Sequence, residues 1–248
     1  MTRNVVVSRT AMRCTRRRSG TSMKPRSAVA TAAVALAGAL AVCGCASTQL
    51  GAAAVTSSSR ITVSTLTAKV ANLNSAYAAD KKKGISPQRP VGQATQQVLT
   101  WLILFQVYDQ MAKQHGISVT QSDIQAAQRQ YTAQAKQSNV TVQQYWSAGG
   151  ALPPSLLPEL DRAGAIQTVL AAQFNGGTTP TTSAEQAAVE KQLSKQQCLA
   201  AKSLDIHVNP QYGVYDYSGF SVAAVPSVLA ADPTPSAAPT ALRTSPTC

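Results

Sequence analysis

Between Thr62 and Phe174 the apolar positions recur at helical intervals. Leu66, Val70, Leu73 and Tyr77 form one stripe, which predicts a helix opened by Thr62 and broken at Gly84 and Pro87. A second helix is expected from about Gly92 to His115. Its centre, Trp101-Leu102-Ile103-Leu104-Phe105, is apolar on every face, so it should be the central helix of the domain, buried on several sides. Gln96, Gln97, Gln106 and Asp109 flank that centre too closely for it to cross a bilayer, which takes about 20 apolar residues. Gly116 suits the position just past its end. Thr120 and Asp123 have capping-box spacing and should open a third helix with Ile124, Ala127 and Tyr131 inward. Thr141 and Gln144 repeat that logic for a short helix carrying Tyr145 and Trp146, with Gly149-Gly150 as its stop. Pro153 or Pro154 begins a fifth helix, along which Leu156, Leu160, Ala163, Ile166, Val169, Leu170 and Phe174 keep a helical period. Thr182 and Glu185 cap a sixth, running to about Leu204. Asp205 to Pro210 reads as a short strand, Ala52–Val55 with Arg60–Thr62 as a strand and turn, and Tyr215 to Ala224 alternates only loosely. The fold class is therefore mainly α.

The two ends differ from this body. Residues 1–27 carry eight basic residues and no acidic one, and a small, apolar run from Ala28 to Val42 follows. This is the pattern of a secretory signal. Val42-Cys43-Gly44-Cys45 fits a lipobox with cleavage after Gly44 and lipid attachment at Cys45; Cys43 fits less well, because Val42 would then precede the cut. Met12 and Met23 are alternative starts. The expected organisation is a lipoprotein signal peptide over 1–44, a tether with a first short strand over 45–59, a helical domain over 60–231, and a Pro/Ala/Ser/Thr tail over 232–248 too poor in large apolar residues to order itself. The chain would then sit lipid-anchored on the extracytoplasmic face of the cell membrane. Without the signal, 14 basic and 10 acidic residues remain, a net charge of +4 that gives no case for nucleic acid as a partner. Lys81-Lys82-Lys83 is the basic cluster that is left, and it suits the end of a helix.

Candidate chemistry is sparse. No nucleophile elbow or phosphate-binding loop occurs, and Glu159 and Asp161 point about 200° apart on a helix. His115 and His207 have no second histidine or cysteine at ligand spacing, so no metal or other cofactor is expected. With Cys45 acylated, Cys198 and Cys248 are the two thiols left to pair, which would clip the tail. Asn139-Val140-Thr141 matches a glycosylation sequon, without meaning in a bacterial lipoprotein. The large side chains are Trp101, Phe105, Tyr108, Met111, Tyr131, Tyr145 and Trp146, in a chain otherwise rich in Ala and Gln. They are either core or the lining of a groove for extended apolar segments, with Trp146 foremost for the second role.

The order of these elements resembles the N-terminal domain of SurA and PrsA-like extracytoplasmic chaperones. The residues that carry the resemblance are Ala54-Val55 with Arg60-Ile61-Thr62, the apolar helix ending in Gly116-Ile117-Ser118-Val119-Thr120, Asp123-Ile124, the approach from Asn139 to Tyr145-Trp146, and Asn209-Pro210-Gln211-Tyr212-Gly213, where such foldases have Arg in place of Gln211. The resemblance spans about residues 51–208. It implies a multi-helix domain with a small β element made by the N-terminal and post-helical C-terminal segments. In PrsA-like foldases a prolyl isomerase module follows the helices, but here the stretch between Phe174 and Ile206 is too short to hold one. The implied function is a membrane-tethered, holdase-like chaperone for unfolded or partly folded exported proteins, without catalysis. Trp101, Phe105, Tyr108, Met111, Tyr145 and Trp146 are its candidate client-binding residues. The alternative is a structural or scaffold lipoprotein that binds one specific envelope partner.

Overall fold

The computed structural model describes residues 51–225 and Cys248. The expected export signal, Cys45 and most of the Pro/Ala/Ser/Thr tail lie outside the described residues. The described body is mainly helical, with two small antiparallel sheets. Its six α-helices are α1 (Val63–Lys81), α2 (Ala94–Gln114), α3 (Gln121–Gln137), the single turn α4 (Val142–Gln144), α5 (Leu157–Phe174) and α6 (Ser183–Ser203).

Local chemistry accounts for the helix starts. Thr62 accepts a hydrogen bond from the Thr65 N–H, and Thr120, Thr141 and Thr182 each close a reciprocal capping box with Asp123, Gln144 and Glu185. Backbone donors at Thr182 and Thr181 hold the Glu185 carboxyl below its ordinary range, and the Thr120 hydroxyl does the same for Asp123. Asn139, in the failed sequon, has φ 54° and ends α3 as a left-handed cap; the next residue, Val140, donates back to the Ala135 carbonyl.

The helices pack around α2, which touches α1, α5 and α6 and also the strand β5 (Ser221–Ala223). Val98, Leu99, Ile103, Val107 and Met111 of α2 are all 0–1 % exposed. Leu66 and Leu73 of α1, Ile166 and Leu170 of α5, and Leu152, Leu156 and Leu204 fill the space between helices to the same degree. Each such side chain contributes roughly 1.5–3 kcal/mol through burial.

The first sheet has the order β2–β1–β3, built from β1 (Ala52–Val55), β2 (Arg60–Thr62) and β3 (His207–Val208), with both pairings antiparallel. β1 is the short strand expected within 45–59, and it is the middle strand of the sheet. Ala52, Ala53 and Ala54 are 0–2 % exposed. The turn after β1 is tied to α2 through the Gln106 amide oxygen, which accepts from the Thr56 hydroxyl at 3.0 Å and the Ser59 hydroxyl at 2.7 Å. β3 brings the chain back after α6, and Asn209 locks it there: its N–H donates to the Ala53 carbonyl at 2.9 Å and its Nδ2 to the Ala52 carbonyl at 3.2 Å. The loosely alternating stretch turns out to be a hairpin, β4 (Val214–Asp216) paired with β5. It is fixed to α2 by the bond from the Val222 N–H to the Thr100 hydroxyl, 2.9 Å.

α3 and α5 cross closely because Gly164 leaves room for the Tyr131 ring. A methyl group added at Gly164 would run into the Tyr131 hydroxyl and stand 2.9 Å from its ring carbon Cζ. Gly164→Ala should therefore cost about 1–3 kcal/mol, read as a lower urea midpoint. Adding Tyr131→Phe to that variant should recover part of the loss, since the hydroxyl is the nearest obstacle. No loss, or no recovery, would place the tolerance elsewhere in the crossing.

Candidate functional site

After α4 the chain makes a π-turn, Tyr145–Gly149, in which each turn holds an extra residue. It is pinned on two sides. The Ser147 hydroxyl, fully buried, donates to the Asp80 carboxylate at the end of α1 at 2.8 Å, and the Gln88 N–H donates to the Ala148 carbonyl at 2.8 Å. The turn stops at the expected glycines: Gly149 is its last residue and Gly150 follows as its cap. Ala151, with φ 52°, takes the left-handed conformation, while Gly150 keeps φ −99°. Gly150 is needed for space instead: a Cβ there would lie 3.0 Å from Trp146 Cε3 and 3.7 Å from Trp101 Cζ2.

This turn presents Trp146 to a ring cluster. Trp146 meets Trp101, Tyr131 and Tyr145 edge to face, with centroids 6.0, 5.2 and 5.6 Å apart, and Trp101 stacks on Phe105 at 5.7 Å. The Trp101 Nε1–H donates to the Gly150 carbonyl at 2.8 Å, which fixes that ring on the turn. Trp146 Nε1 is buried and has no hydrogen-bond partner among the described residues. Trp101, Tyr145 and Trp146 are half-buried. They form an aromatic ledge supplied by α2 and the π-turn.

The other three candidates do not join it at the surface. Phe105 and Tyr108 are 8 % exposed and Met111 is 1 % exposed, so they belong to the core. The physical reason is that α2 is covered on several sides at once. Residues that periodicity places on different faces of that helix all end up inside. Tyr131, expected to face inward and counted among the large side chains but not among the six client-binding candidates, is the one that reaches Trp146 from α3.

Beneath the ledge lies a polar seam that sequence reading missed. Asp161 of α5 is buried and accepts from the Gln128 amide of α3 at 2.8 Å, while the Gln167 amide bonds the Tyr108 hydroxyl. Burial pushes Asp161 above its ordinary range, opposed by the Gln128 bond. Burial likewise pushes Tyr108 up to about 12, opposed by Gln167, and Tyr131 up to about 12, with Tyr108 and Asp161 adding to the effect. These phenols stay neutral at physiological pH and serve as packed hydrogen-bonding groups. Spacing along α5 showed Asp161 apart from Glu159, but nothing local could show it meeting α3. The outer face of α3 adds an open groove of about 420 Å³ lined by Gln125, Gln128, Arg129, Thr132, Ala133 and Lys136, a polar surface.

The remaining candidates stand apart. Cys198 and Cys248 are joined by a disulfide, their Cα atoms 5.7 Å apart. His115 caps α2, with its Nε2 3.2 Å from the Gln196 amide oxygen and its ring edge-on to Phe174. His207 pairs with Asp205 at 3.1 Å on the surface. Among the described residues no three His, Cys, Asp or Glu side chains come together as a metal site would need, and no helix is long and apolar enough to cross a membrane.

Because Asp161 is raised in the fold, its ionisation opposes folding. Its contribution is most favourable below the usual carboxylate range and is lost as pH climbs through the raised value. Asp161→Asn keeps an acceptor for Gln128 and removes the charge. Its urea midpoint should exceed that of the parent at pH 7, with the gap closing toward pH 3. A gap independent of pH would show that burial of the charge is not the cause.

Compared with protein-family models, curated proteins and solved structures, the chain finds no match.

Proposed function

We propose that this protein is an extracytoplasmic chaperone of the SurA N-terminal type, tethered to the cell membrane through lipid on Cys45 and lacking an isomerase module. It would hold apolar segments of exported proteins without making or breaking a bond. The observation that carries this reading is the aromatic ledge, in which Trp101, Tyr145 and Trp146 are half-buried on a turn fixed by Asp80, Gln88 and Gly150. Rings held in place in this way offer area to a partner with little ordering cost. The topology supports the same reading. The Asn209-Pro210-Gln211-Tyr212-Gly213 segment is the turn that locks β3 onto β1, and Gly213 at φ 132° carries the chain on toward β4. A lipid tether would keep the ledge close to newly exported chains, so single contacts can be weak.

One observation favours the alternative, a scaffold lipoprotein with a specific envelope partner. Among the described residues the strongly exposed large apolar side chains are Val91, Leu199, Val214 and Val225, too scattered to form a broad apolar surface. The ledge can therefore seat one or two side chains of a client at a time.

The two are separated by light scattering from a chemically unfolded, aggregation-prone exported protein diluted into buffer. The full chain in tenfold molar excess should lower the scattering, and Trp146→Ala should remove most of that effect. Ile103→Val, a core change costing about 0.5–1.5 kcal/mol, should leave it intact. Unchanged scattering with the parent chain, together with recovery of a single stoichiometric envelope protein, would replace the chaperone reading with the scaffold one.

A further inference from the structure

The disulfide is unsymmetrical in a way that bears on reactivity. Cys198 lies on α6 and is 7 % exposed, whereas Cys248 is exposed. Cys248 is therefore the more accessible of the two residues to an incoming thiolate. The leaving group matters equally, because exchange is faster when the departing thiolate is stabilised. Lys195 stands three residues before Cys198 and Lys202 four residues after it on the same helix, and both are exposed. Residues at those spacings are neighbours on the helix surface. Both lysines therefore stand on the turns adjoining Cys198, and nearby cations favour a thiolate. Access and charge select the same direction of attack. Leu199, 41 % exposed, adds an apolar contact beside this position.

The geometry points to a thiol-exchange site at Cys198–Cys248, which captures the free thiol of an extended, cysteine-bearing polypeptide as a mixed disulfide on Cys248. The polypeptide thiol loses its proton to solvent and attacks Cys248 Sγ. The new S–S bond forms as the Cys198–Cys248 bond breaks, and the electron pair leaves on Cys198 Sγ. One disulfide replaces another, so no outside oxidant or reductant takes part. Attack by the Cys198 thiolate on Cys248 Sγ reverses the step and releases the polypeptide thiol unchanged. This site shares no residue with the aromatic ledge, and neither proposal depends on the other.

The test uses the full chain with Cys14, Cys43 and Cys45 changed to Ala, so that no other cysteine competes. A dansyl-labelled peptide bearing one cysteine is added at neutral pH and low salt, the reaction is stopped with excess alkylating agent, and the products are mapped by mass spectrometry. The expected product carries the peptide on Cys248 and the alkyl group on Cys198. Lys195→Gln with Lys202→Gln should slow capture about three- to tenfold at low salt, with the difference shrinking at high salt. The proposal is overturned by the peptide appearing on Cys198 with Cys248 alkylated. It is equally overturned by the absence of an adduct under conditions where glutathione disulfide exchanges with the same peptide, or by a rate that ignores both lysines. Loss of light-scattering protection with capture intact, or the reverse, shows which of the two sites fails.

Discussion

A helix with no polar face has nowhere to meet water, and α2 is such a helix over its central turns. Val98, Leu99, Ile103, Val107 and Met111 leave no stripe to expose, so the chain must supply cover from several directions. α1, α5 and α6 provide three sides, and the β4–β5 hairpin provides another. Three of the polar groups α2 carries are answered individually: Gln106 by the β1–β2 turn, Thr100 by the backbone of β5, and Asp109 by Arg162 of α5 at 3.0 Å. Much of the remaining architecture follows. Cover from α6 needs the chain to return, and the return places β3 beside β1. That pairing makes residues 52–55 part of the body although they precede every helix.

Features governed by a few neighbouring residues were legible before any coordinates. The threonine caps at 62, 120, 141 and 182 depend on a hydroxyl and on donors two or three residues ahead, and each forms as expected. The central place of α2 was legible for a similar reason, since an all-round apolar run admits little else. What escaped depends on partners far along the chain. The β4–β5 hairpin has one inward residue per strand, Tyr215 and Val222, and docks through Thr100, more than a hundred residues away, so its own alternation is faint. Gly149-Gly150 does end the turn, but not through a positive φ at either glycine. Here the crowded partner is an indole, and the positive φ passes to Ala151. The six apolar candidates divided for the same reason. Composition names large rings, but only the packing of α5, α6 and β5 on α2 decides that Phe105, Tyr108 and Met111 are enclosed while Trp101 stays at the edge.

The aromatic residues do two different jobs, and the polar ends of their rings show which is which. In the seam, Tyr108 is bonded by Gln167, and burial keeps both Tyr108 and Tyr131 protonated. A neutral phenol is a compact way to place a donor and an acceptor inside a core whose facing helices carry Gln128, Gln167 and Asp161. The seam thus fixes the relative placement of α2, α3 and α5 more specifically than apolar packing alone would.

Trp146 is different, because several locally unfavourable features meet there. Its N–H is buried without a partner among the described residues, a deficit of about 1–3 kcal/mol. The backbone that carries it is a π-turn, and it is followed at Ala151 by a non-glycine residue in the left-handed region, an arrangement costing on the order of 1–3 kcal/mol. A ring needed only to fill space could sit on an ordinary helical turn with its N–H paired. Instead Asp80, Ser147, Gln88 and the Trp101–Gly150 bond hold the unfavourable arrangement in place. Local conflict maintained by several independent contacts fits the binding role proposed for this ring, because a partner would then meet it already in position.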